Sequence, residues 1–244
     1  YVSTEVLHSI RLEMNQILIR KILNTKDNFL SGMKNLMNSN LKIIGTSSAN
    51  SRMCGRYTLT NKKEVKKKFE IDIEQNFNIC PSSKVLVYTN KPEWMEWNYS
   101  PSWAKKPMNL INARYETIDE KPSFKDMNRC VFIMDGWYEW KRYFNWSKRE
   151  NVKDPYYHHF NSDIIFVAGL YHGGRCVCVT KKSVKPISDI HNRQPLLLEQ
   201  SQIEKWISGD YILRDNLSKN IQIHRVSTYV NSPKNNDANC VKPT

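Results

Sequence analysis

The sequence predicts an α+β domain with a mostly antiparallel, barrel-like β core and a few peripheral helices. Two observations lead there. Four β-favouring apolar runs follow one another without a helix alternating between them, which argues against a doubly wound parallel sheet. Clear helix-start signals after residue 52 number two, so strands outnumber helices. Seven Trp, twelve Tyr and eight Phe in a chain that is 40% hydrophobic supply the bulk for one sizeable core.

In chain order, Thr4 to Ile22 carries Val6, Leu7, Ile10, Met14, Ile17 and Leu18 at helical spacing, with Leu23 just beyond. Asn- and Ser-rich sequence through Asn38-Ser39-Asn40 and Ser47 to Ser51 then reads as a linker. Residues 1–52 are therefore expected to be an N-terminal extension, absent from or removed in the mature protein, and residues 53–244 the domain. Within it, Asn61-x-x-Glu64 has the form of a capping box opening a basic helix, and Ser201-x-x-Glu204 that of another, leading to Trp206. The expected strands are Lys84–Tyr88, Cys130–Met134, Ile164–Ala168 and Arg175–Val179. In the last, Cys176 and Cys178 fall on one face of the strand and read as buried core thiols.

Lys and Arg number 37 against 24 Asp and Glu, a formal charge of +13. Seven basic and three acidic residues lie in 1–52, which leaves an excess of nine over 53–244, so the positive charge belongs to the domain and not to a tail. Such a surplus points to a polyanionic partner, because each neutralised phosphate releases counterions. No stretch approaches the roughly 20 apolar residues of a membrane span. The six cysteines have neither zinc-site spacing nor the pattern of a disulfide framework, and a reducing compartment is expected.

Cys54 stands directly behind Met53. Initiation at Met53 with loss of that Met, or cleavage before Cys54, would expose an α-amine and a thiol on adjacent carbons. An α-amine has an unperturbed pKa of about 8 against about 10.4 for lysine, so more of it is nucleophilic near neutral pH. A 1,2-aminothiol condenses with an aldehyde to an imine and closes to a thiazolidine. The open form of an abasic deoxyribose is such an aldehyde.

Met53-Cys54-Gly55-Arg56-Tyr57, Asn78-Ile79-Cys80-Pro81, Asn112 to Thr117, Asp135-Gly136-Trp137-Tyr138-Glu139-Trp140 and Ser188 to Pro195 occur in that order. Together they resemble the SOS-response-associated peptidase (SRAP) family, whose animal members are abasic-site processing proteins. The resemblance spans residues 53 to about 243 and implies a covalent crosslink to abasic sites in single-stranded DNA. It makes Cys54 the nucleophile, Asn112 the amide that orients it, Glu139 the general acid-base and His191 the proton-transfer partner at the sugar. Arg56, Arg114 and Arg193 would hold phosphates, Asn78 falls in a DNA-contacting motif, and Trp103 would support a base. These assignments also suit the chemistry: a carboxyl or imidazole can donate and then accept a proton, and arginine forks grip phosphates. Bland readings stand beside them, with Glu139 as the outward residue of a strand, Trp103 as core and Asn112 as a turn residue.

The resemblance further implies self-cleavage before Cys54 and a single-turnover crosslinking enzyme that needs no metal or organic cofactor. Replication-fork proteins are implied as partners, and a monomer is expected, nuclear in a eukaryote and otherwise cytoplasmic. Three other readings stay open: a noncovalent binder of damaged or modified DNA, an AP lyase, and a cysteine-type peptidase.

Overall fold

The computed structural model describes residues 55–161, 163–212 and 216–244. The helical pattern and linker expected in residues 1–52 lie outside them.

β1 (Tyr57–Leu59) is followed by α1 (Lys62–Phe69), β2 (Asn76–Ile79), β3 (Lys84–Tyr88), β4 (Pro92–Trp97) and the short β5 (Asn112–Arg114). β6 (Asn128–Met134), β7 (Gly136–Asn145), β8 (Glu150–His159), β9 (Ile165–His172) and β10 (Arg175–Lys182) come next. β11 (Arg193–Pro195), β12 (Leu197–Leu198), α2 (Ile203–Ile207) and β13 (Gln222–Arg225) complete the chain. One sheet has the order β13-β8-β7-β1-β2. In the other, β10, β4, β3, β6 and β9 each pair with the next, and β9 pairs back with β10, closing a ring. Only the pairings of β10 with β4 and with β5 are parallel among the described strands. The expected α+β, barrel-like architecture is the one observed.

All four expected strands are present, β3 with the bounds anticipated. α1 begins as its sequence dictates, with the Asn61 side chain accepting from the Glu64 N–H at 3.2 Å. The second helix start is displaced by two residues. Glu199, not Ser201, forms the capping box, with Gln202 answering it: the Glu199 N–H donates to Gln202 Oε1 at 2.8 Å. A turn of 3-10 helix then leads into α2, which buries Trp206. The extended backbone of Glu199 is the cap conformation, and Ser201 already lies inside the turn.

The long β7–β8 hairpin was not foreseen as a pair. β8 reads Glu-Asn-Val-Lys-Asp-Pro-Tyr-Tyr-His-His, a strand poor in apolar alternation, and it forms because β7 templates it from Gly136↔His159 to Asn145↔Glu150. The core between the sheets includes Tyr57, Trp97, Phe132 and Trp137, with Cys176 and Cys178 buried among them as expected.

His158 is fully buried and stacks on Trp137 with ring centres 4.9 Å apart. No hydrogen bond of good geometry reaches either ring nitrogen among the described residues, although the Tyr156 and Trp137 backbones lie close to the ring. Burial drives its pKa down from 6.5 to about 3, with the backbone of Tyr156 and Trp137 pulling weakly the other way. An unfolded chain takes up this proton near 6.5 and the folded one does not, so stability is lost as pH falls from about 6.5 towards 3, by an amount on the order of 5 kcal/mol. Urea unfolding at pH 7, 5 and 4 should show this decline, and His158→Phe should flatten it. An equal decline in the variant would assign the acid sensitivity to other groups.

Candidate functional site

The site assembles at the open end of β7. β1 pairs with β7 only at Tyr57↔Trp137 and Thr58↔Gly136, and the Tyr138 N–H donates to the Arg56 carbonyl at 3.0 Å. Gly55 and Arg56 therefore enter beside Glu139 and Trp140. Cys54 itself lies outside the described residues. Its covalent neighbour Gly55 is buried and, with Arg56, Cys80, Trp140, Lys153 and Asn231, lines a cleft of about 520 Å³.

Strand alternation puts Trp137 and Glu139 on the inner face of β7 and Tyr138 and Trp140 on the other. Glu139 is 2% exposed, so the reading of it as an outward strand residue does not hold. Its Oε2 is 3.9 Å from His191 Nδ1. His191 comes from the turn before β11, which is pinned where the Ser183 hydroxyl donates to the His191 carbonyl at 2.7 Å. Nδ1 also lies 3.2 Å from both the N–H and the carbonyl of Arg193. Burial lowers the His191 pKa below its usual value, the Arg193 carbonyl opposes this, and the charges of Arg142, Arg193 and Lys153 lower it further. These effects favour the neutral ring near pH 7.

Asn112, half-buried in β5, stands opposite Cys178. The charge of Glu139 adds to burial in raising the Cys178 thiol pKa. Asn112, Glu139 and His191 thus come from three separate elements, β5, β7 and the β10–β11 turn.

Arg56 is braced at this rim. Its Nη1 donates to Asn78 Oδ1 at 3.2 Å and, through a short contact, to the Val230 carbonyl, and Nη2 donates to the Asn231 carbonyl at 2.9 Å. Its guanidinium lies 6.0 Å from the centre of the Trp140 ring, whose indole N–H donates to Asn231 Oδ1 at 2.8 Å.

Two of the expected DNA-contacting residues have partners within the protein. Asn78, expected among DNA-contacting residues, is 4% exposed, and its amide donates to the carbonyls of Val230, Ser232 and Asn235 at 2.8–3.1 Å. With its oxygen on Arg56, its capacity is taken up inside the protein, and it acts as a brace for Arg56 and the C-terminal segment. Arg193, expected to hold a phosphate, makes a two-pronged ion pair with Glu116 at 2.6 and 2.8 Å and donates to the Thr180 carbonyl at 2.6 Å. That pairing holds the Glu116 pKa down to about 2. Arg114, opposite Thr180 on β5, is exposed. Trp103 is 59% exposed on a loop closed by the Tyr99↔Leu110 bridge, so it is not a core residue.

Sequence reasoning gave no place to Lys153, which lines the cleft, or to Glu116, which pairs with Arg193. Glu116 sits inside a motif quoted from the sequence but carried no role, and Lys153 reaches the site only through the β7–β8 register. The Lys153 ammonium sits 4.8 Å over the Trp140 ring.

Residues 53–233 match the family model described as SOS response associated peptidase (SRAP), and all nine candidate residues fall inside that span. The chain belongs to the SRAP family. Among its relatives, the abasic site processing protein YoaM of Bacillus subtilis is 32% identical over 223 residues, covering 76% of this chain and 96% of that protein. The abasic site processing protein YedK of Escherichia coli is 28% identical over 228 residues, covering 78% of this chain and all of that protein. The mouse abasic site processing protein HMCES is 30% identical over 200 residues, and the matched part is 56% of its length. The crystal structure of a phage-related protein from Bordetella bronchiseptica superposes with a TM-score of 0.53 at 22% identity, covering 71% of this chain and 94% of that one. The fold of this SRAP chain is thereby shared with a solved structure.

Proposed function

We propose that this SRAP protein captures abasic sites in single-stranded DNA through the α-amine and thiol of Cys54. The observation that carries the reading is buried Glu139 paired with part-buried His191, on a strand whose register with β1 brings Gly55 in opposite Glu139, in a chain whose SRAP relatives are named abasic site processing proteins.

The amine adds to the C1′ aldehyde, and the carbinolamine loses water to give an imine. Glu139 in its protonated form supplies the proton that leaves with the hydroxyl. The thiolate then adds to the imine carbon, the nitrogen takes a proton, and a thiazolidine ring closes. This diverts the imine from the β-elimination by which an AP lyase nicks the strand. His191, neutral and 3.9 Å from Glu139, exchanges protons with it between steps. Asn112 orients the amine without competing for its proton. Arg56, braced by Asn78, and exposed Arg114 grip the flanking phosphates. Cleavage before Cys54 by the same groups would expose the amine in a longer chain.

The test compares the full chain with one beginning at Met53, each incubated with single-stranded DNA bearing one abasic site and run on a denaturing gel. A heat-resistant band for the shorter chain, lost in Cys54→Ala, is expected. No covalent band from either chain leaves a noncovalent DNA binder as the better account, and strand nicking without a band would favour a lyase.

A further inference from the structure

Beyond Trp140 the β7–β8 hairpin leaves the body of the sheet. β1 pairs with β7 only at Gly136 and Trp137, and β13 pairs with β8 only from Tyr156 to His159. Residues 141–154 therefore form a two-stranded arm without further strand neighbours among the described residues. It carries Lys141, Arg142, Lys148, Arg149 and Lys153 against Glu150 and Asp154, and Asp154 is already paired with Arg225 at 3.0 Å.

The arm's large aromatics are exposed. Trp146 is 83% exposed, Phe144 and Tyr143 are about half that, and Phe144 meets Trp146 edge-to-face at 4.8 Å, leaving ring faces to solvent. Beyond that one edge-to-face contact the indole is left to solvent, and ring faces beside cations are what unpaired bases stack on.

The order along one face is informative. Trp140, Arg142 and Phe144 alternate with the opposite parity of β7 and share a face, with Lys153 directly across from Arg142. Like charges opposite one another destabilise a hairpin. Burial and the charges of Arg142 and Arg56 also lower the pKa of Lys153. An anion between Arg142 and Lys153 relieves that repulsion. The face thus reads aromatic, paired cations, aromatic over about 13 Å, at some 3.4 Å per strand residue, and it is continuous at Trp140 with the cleft that starts at Gly55.

We infer that the β7–β8 arm is a second, noncovalent subsite for single-stranded DNA, holding a phosphate between Arg142 and Lys153 and stacking a base on Phe144 and Trp146. It rests on the reading of the cleft as a DNA site and extends that site to undamaged nucleotides beside the lesion.

The experiment measures binding of the full chain to a fluorescent, undamaged single-stranded 20-mer, which has no aldehyde and so reports the subsite apart from crosslinking. Phe144→Ala/Trp146→Ala should weaken binding by at least tenfold with an unchanged Tm, since each lost base stack contributes about 1–3 kcal/mol. Arg142→Ser should weaken it severalfold and lower the slope of log affinity against log salt. Unchanged affinity in the double aromatic variant overturns the inference, as does a duplex of equal length that binds equally well and loses as much on substitution. If the arm variants weaken binding while no chain forms a covalent band, the subsite stands and the thiazolidine reading falls. If crosslinking is intact and binding is unmoved, the reverse holds.

Discussion

Asp135→Ala should destabilise the protein by about 3–5 kcal/mol, because it strips partners from several buried donors at once. Asp135 ends the β6 run and precedes β7, and it is 1% exposed. Its Oδ1 accepts from the Thr58 hydroxyl at 2.5 Å, and its Oδ2 accepts from the Thr60 N–H, the Thr60 hydroxyl and the Asn61 N–H at 2.5–2.8 Å. One carboxylate thus fixes the end of β1, the cap of α1 and the start of β7. A Cβ at Gly136 would overlap the Tyr157 hydroxyl, which itself contacts the Thr58 hydroxyl at 2.8 Å. Because β7 carries Glu139, crosslinking should fall along with stability. Urea unfolding with an unchanged m-value would measure the loss. A loss below about 1 kcal/mol would mean that water reaches these donors, and that the carboxylate is not the clamp described.

Asp135 also marks where the sequence was legible. Its motif can be quoted from the sequence, but the role of the carboxylate depends on Thr58 and Thr60, some 75 residues away along the chain. The same divide recurs across the molecule. β3, β6, β9 and β10 were readable because each is a run of buried apolar residues whose pattern reports its own environment. β8 was not, because its strand character comes from pairing with β7. Glu139 could be named but not oriented: the side of the strand it faces is decided by which sheet lies beneath. Asn78 and Arg193 stand out for their chemistry, yet that chemistry is engaged internally, by three carbonyls in one case and by Glu116 in the other. Residue type announces what a group can bind. Only the fold says whether the group is still available.

Glu139→Gln should slow crosslinking by about 10²- to 10⁴-fold while leaving the fold intact. The substitution keeps the shape of a side chain that is almost fully buried and removes only its ability to exchange a proton. His191→Ala should cost less, since His191 serves the sugar through Glu139 or a water and not as the sole proton source. Because the two side chains lie 3.9 Å apart and act as one unit, the double variant should be little slower than Glu139→Gln alone. The pH profile separates this from a structural role. Burial lowers the His191 pKa, so imidazole protonation is displaced to the acid side of its ordinary range and away from the α-amine limb. The decline on that limb should follow the Cys54 α-amine, as its neutral fraction falls below a pKa of about 8. Glu139→Gln should lower the whole curve without moving that limb. Single-turnover band intensities on denaturing gels, at saturating protein between pH 5.5 and 8.5, give both readouts. A Glu139→Gln rate within about threefold of the parent would remove the carboxylate from proton transfer, and the burial of Glu139 beside His191 would then be a matter of packing alone.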